Sequence, residues 1–83
     1  MKKVYESPLN GWDESAERIR VYALESDDEY WDFEDMTHEE RCEYFNVFDQ
    51  TGYDVMPGAI YKTYDFNLTS NHIIMRETVA YNV

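Results

Sequence analysis

Eighty-three residues suffice for one hydrophobic core and not for two, so a single domain spanning 1–83 is expected. The composition is 43% hydrophobic and 17% aromatic, with eight Tyr, four Phe and two Trp, which excludes the aromatic-poor make-up of disordered acidic segments. A formal net charge of −11, from 18 acids and 7 bases, argues against direct binding to nucleic acid or an anionic membrane and points to a basic partner.

In chain order, Lys3-Val4-Tyr5-Glu6 reads as a short strand and Ser7-Pro8-Leu9-Asn10-Gly11 as a turn. From Arg18 to Leu24 the residues alternate, Ile19, Val21 and Ala23 on one face and Arg18, Arg20 and Tyr22 on the other, the period of two of a half-buried strand. The stretch 27–36 carries two competing signals: Ser26 is placed to cap a helix, whereas Trp31 and Phe33 alternate as in a strand.

A main helix is expected from His38 to Gln50. Thr37 followed three residues later by Glu40 forms a capping box, in which each side chain satisfies the other residue's free backbone N–H. Gly52 offers the left-handed conformation that ends a helix. The spacing of Cys42 or Tyr44, Phe45 and Phe48 predicts the buried stripe of this helix.

After the Pro57-Gly58 turn, residues 60–66 and 72–81 are rich in β-branched and aromatic side chains and read as a hairpin joined by Asn67–Asn71. On its second strand Ile73, Met75, Glu77, Val79 and Tyr81 share one face, and Ile74, Arg76, Thr78 and Ala80 the other. Neither face is wholly polar, which suggests one side under a helix and the other against a partner or a second copy. The expected fold is α+β: a small antiparallel sheet of three or four strands packed against one main helix.

Catalytic and cofactor signatures are missing from the sequence. It has no Gly-framed Ser nucleophile, no phosphate-cradling Gly loop and no His pair at metal-binding spacing, so no enzyme activity and no cofactor are expected. His38 and His72 read as ordinary histidines. The single Cys42 has no cysteine partner for a disulfide or for zinc, which fits a reducing compartment. With no apolar run of about 18 residues and no basic-then-apolar leader, a cytoplasmic location is expected.

The remaining feature is the segment Glu25 to Glu43, with ten acids against Arg41 and so a formal charge of −9. Read as a helix it would run about 28 Å, over which one DNA strand carries about eight phosphates. Carboxylates three or four residues apart repel each other on a helix, so such clustering opposes folding and calls for a compensating role. Asp27, Asp28, Glu29, Asp32, Glu34, Asp35, Glu39, Glu40 and Glu43 are the candidate contacts to a basic surface, with Tyr30 and Trp31 as aromatic anchors.

In size, charge and this acidic, aromatic stretch, the chain resembles the small DNA-mimic inhibitors that phages and mobile elements direct against CRISPR and restriction nucleases. The resemblance covers Ser26 to Glu43 and carries over no residue roles. It implies a non-enzymatic protein of the host-cell cytoplasm that occupies the DNA channel of a nucleic-acid-binding protein. The residues also allow a second reading, a structural or adaptor module that forms a homodimer through the C-terminal hairpin and uses its charge for solubility.

Overall fold

A computed structural model of the chain describes residues 1–82. The β-branched and aromatic stretches form the sheet. β1 (Lys2–Glu6), the two-residue β2 (Asn10–Gly11) and β3 (Ser15–Ala23) precede two helices, α1 (Asp27–Asp35) and α2 (His38–Tyr44), and the hairpin β4 (Ile60–Leu68) and β5 (His72–Tyr81) follows. The five strands are antiparallel in the order β1-β3-β5-β4, with β2 also on β3. Among the described residues, no helix is long and apolar enough to cross a membrane.

Register assigns the faces. Residues directly opposite on neighbouring strands point the same way. Tyr22 lies opposite Ile73, Arg20 opposite Met75 and Arg18 opposite Glu77, while Phe66 and Tyr64 flank Met75 and Glu77 from the other side. The Phe45 ring packs on Tyr22 at 4.7 Å and stacks on Phe66 at 5.5 Å, so the helical layer covers this face. The expected alternation in β3 is present, but the helical layer sits over its Arg and Tyr side. Ile19 and Val21 are left half-buried on the opposite face with Ile74 and Ala80.

One main helix from His38 to Gln50 is not what forms, and local chemistry explains the two short helices found instead. The Ser26 hydroxyl accepts from Glu29 N–H, and Asp27, Asp28 and Glu29 in the first turn complement the helix dipole, so the cap overrides the strand-like spacing of Trp31 and Phe33. The chain turns extended at Met36, and the Thr37–Glu40 capping box starts α2 as expected.

α2 stops early because Asn46 adopts the left-handed conformation (φ 55°). Val47 N–H then donates to Cys42 C=O at 2.9 Å, and Asn46 N–H to Glu43 C=O at 3.0 Å. This is the paired closure of a Schellman motif. Gly52, expected to end the helix, instead occupies a turn beyond it.

The core follows from these boundaries. Phe33 of α1, 2% exposed, meets Phe45 and Phe66 edge-on, both at 5.9 Å, and Ile73 and Met75 of β5 are buried with it. Of the alternatives Cys42 and Tyr44, it is Cys42 that is buried, and Phe45 is half-buried, but Phe48, which the helical spacing placed in the stripe, is exposed. Phe48 lies beyond the Asn46 closure and so off the helix that would have turned it inward.

The loop over residues 45–59 wraps the outer edge of β4. Gln50 N–H donates to Lys62 C=O, and Lys62 N–H donates back to the Gln50 side chain, so this part of the edge is closed to strand addition. Asn82 fastens the far end of the loop, through Val55 C=O, Gly58 N–H and Ala59 C=O. The Cα radius of gyration is 14.0 Å, against roughly 12 Å for a compact chain of this length, and the extents are 43 × 24 × 16 Å. The molecule is an elongated slab.

Candidate partner-binding surface and an adjoining side-chain cluster

The nine candidate acids all fall on α1 and α2. Asp27, Asp28, Asp32, Glu34, Asp35, Glu39, Glu40 and Glu43 are exposed, and Glu29 is half-buried. Of the two aromatic anchors, Trp31 is 58% exposed and Tyr30 half-buried, their rings edge to face at 5.1 Å. The helical form of 27–35 gives Trp31 a particular setting. Residues three and four apart are neighbours on a helix surface, so Asp27, Asp28, Glu34 and Asp35 flank Trp31 along α1.

Few cations offset these charges. Among the described residues, only Glu29 of the nine forms an ion pair, with the Met1 ammonium at 2.6 Å. That hydrogen bond, together with the Glu25 N–H, holds the Glu29 carboxyl below the usual carboxylate range. Arg41, the one base within the acidic segment, turns inward. Its Nε and Nη2 donate to Phe33 C=O at 3.1 and 3.0 Å, and its guanidinium lies 4.4 Å from the centre of the Phe33 ring. It thus satisfies a carbonyl at the end of α1 and packs on the core, leaving the outward carboxylates unmatched.

Beside this surface lies a cluster that the motifs in the sequence did not single out. His38 Nε2 is 2.5 Å from Asp49 Oδ2, and Cys42 Sγ is 3.7 Å from the same nitrogen. His38 and Cys42 are four residues apart on α2 and so share a face, and the Asn46 closure turns the chain so that Asp49 returns to them. The other Asp49 oxygen accepts from Thr51 N–H at 2.9 Å and from the Thr51 hydroxyl at 2.7 Å. Burial works against the Asp49 charge, but these hydrogen bonds and the one from His38 outweigh it and hold its pKa below the usual value. The cluster borders a groove of about 520 Å³ rimmed by Glu39, Glu43, Phe48 and Tyr53.

This is not a thiol–imidazole–carboxylate relay. Thiol and carboxylate meet the same imidazole nitrogen, whereas a relay needs one on each. Burial, reinforced by the Asp49 and Glu39 charges, pushes the Cys42 thiol pKa up, the opposite of what a nucleophile needs. His72 stands apart at the start of β5, opposite Ala23. The signal that could have revealed the cluster is the His-x-x-x-Cys spacing on a helix, a mixed pair in which neither residue has a partner of its own kind nearby in the sequence.

Comparison with protein-family models, with curated proteins and with solved structures returns no match to this chain.

Proposed function

We propose that the protein acts by binding, its α1–α2 surface docking into a basic groove of a nucleic-acid-binding protein in place of DNA. One observation carries this reading: an exposed Trp31 flanked along the α1 surface by four acids that form no ion pair among the described residues. Charges held so close without counterions oppose folding, and a Lys- and Arg-lined groove would relieve that repulsion while the indole gains cation–π contact. Asp27, Asp28, Glu34 and Asp35 stand in for phosphates, with Asp32, Glu39, Glu40 and Glu43 extending the charged surface and Tyr30 supporting the indole.

The test is cleavage by a panel of restriction and RNA-guided nucleases with the protein added in increasing amounts. Inhibition of at least one enzyme is expected, relieved by excess duplex DNA and weakened as salt rises. Reversing Asp27, Asp28, Glu34 and Asp35 to Lys should weaken it by roughly a hundredfold or more, with the circular dichroism spectrum preserved. Inhibition untouched by the reversal, or absent across the panel, defeats the proposal.

A second reading, self-association, is favoured by a different observation. The sheet face away from the helices carries half-buried Ile19, Val21, Ile74 and Ala80, with a groove of about 450 Å³ between Ile19, Ile74 and Arg76. Light scattering separates the two readings, because a dimer formed through this face persists at high salt.

A further inference from the structure

We infer that His38, Cys42 and Asp49 form a binding site for a divalent ion of the zinc class. The donor set is one imidazole nitrogen, one thiolate and one carboxylate oxygen, and the three ligand atoms lie within 4.8 Å of one another. Soft sulfur together with imidazole selects zinc or cobalt over calcium or magnesium, which take oxygen ligands.

The geometry is close to what such an ion needs. With metal–nitrogen and metal–sulfur bonds of about 2.0 and 2.3 Å, tetrahedral ligands sit about 3.5 Å apart. The Cys42–His38 separation is 3.7 Å, so the helix already sets one edge of the tetrahedron. The His38–Asp49 edge, now a hydrogen bond of 2.5 Å, must open by roughly 1 Å to admit the ion. His38 has room for this, its side chain being 52% exposed, whereas Asp49 is only 11% exposed.

Two further features suit a metal site. Both Thr51 donors engage Asp49 Oδ1 and leave Oδ2 directed at the cluster, the outer support that fixes a ligating carboxylate. The adjoining groove, rimmed by Glu39 and Glu43, gives a fourth position access to solvent, and three protein ligands with one open position take water there. Binding releases the Cys42 thiol proton, and any proton shared between His38 and Asp49, to solvent, so affinity rises with pH as those protons leave. The site lies between α2 and the following loop; Glu39 and Glu43 of the surface proposed above border its groove, but the metal ligands are other residues and do not depend on that binding role.

The test is titration of the full chain with Co²⁺ as probe, followed by displacement with Zn²⁺. A thiolate-to-cobalt charge-transfer band and tetrahedral visible bands are expected, saturating at one ion per chain. Cys42→Ser should abolish the charge-transfer band. Asp49→Asn and His38→Gln should each weaken binding at least roughly tenfold, Thr51→Ala by a comparable factor, and His72→Gln, at the start of β5 and apart from the cluster, should leave it unchanged. On the unsubstituted chain, which removes any question of folding, Zn²⁺ should slow alkylation of Cys42 at least roughly tenfold, since a metal-bound thiolate is shielded from reagent. An oxygen-only octahedral cobalt spectrum, or a Cys42 alkylation rate indifferent to zinc, overturns the inference.

Discussion

Glu77 shows how a single residue shapes the sheet. It is 5% exposed, on the face covered by the helical layer, between Met75 and Val79. Its one side-chain hydrogen bond among the described residues comes from Tyr64, whose hydroxyl donates to Oε2 at 2.8 Å, while Arg18 and Arg20 approach no nearer than 3.7 and 3.8 Å. Removing that donor leaves a buried carboxylate poorly satisfied, so Tyr64→Phe should cost about 2 kcal/mol and lower the melting midpoint by on the order of 10 °C. A variant melting with the parent would show that the two arginines suffice.

Burial and the Glu77 hydrogen bond push the Tyr64 pKa up to about 12. A raised phenol favours the neutral form in the folded state. Its contribution is therefore complete below the ordinary tyrosine pKa near 10 and lost as pH rises through about 12. Ultraviolet titration should show the Tyr64 phenolate appearing only as pH approaches about 12, and Glu77→Gln should bring it forward. That Glu77 shares a face with Ile73, Met75 and Val79 was legible from the period of two in β5. Its partners were not, because Tyr64, Arg18 and Arg20 arrive from two other strands and only register brings them together.

At the scale of elements, what was legible was what is local. The Thr37–Glu40 capping box involves four consecutive residues, and it formed as expected. Thr37→Ala should cost about 1 kcal/mol in chemical denaturation, and an unchanged midpoint would count against the cap. The hairpin was legible too, because its two β-branched stretches and short polar connection are neighbours in sequence.

The end of α2 was not legible, since asparagine is a weaker stop signal than the glycine six residues later. Its left-handed geometry predicts a contrast. Asn46→Ala should destabilise by about 1 kcal/mol, because a Cβ without a compensating polar group is penalised there, whereas Asn46→Gly should match or exceed the parent. Equal stability of all three would mean that α2 closes by other means. The His38–Cys42–Asp49 cluster was hidden for the same reason, since Asp49 approaches only because the chain turns at Asn46.

Across the whole molecule, net charge is legible from composition alone, while its disposition depends on where the helices begin and end. A charge of −11 on 83 residues, with most helix acids unpaired among the described residues, implies substantial self-repulsion. Raising salt from 10 to 300 mM, roughly a threefold or greater shortening of the screening length, should therefore raise the melting midpoint. A midpoint that falls would mean that ion pairs such as Glu6–Arg20 outweigh the repulsion. The inward turn of Arg41 could not be read from the sequence, where it stands as the natural counterion to its neighbours.

The 43 × 24 × 16 Å outline has a practical side. Such a plank tumbles and diffuses more slowly than a sphere of equal mass, and its negative charge repels it from the acidic groups on many chromatography matrices. A lone chain should leave a sizing column early, at the volume of something heavier, and could be mistaken for a pair.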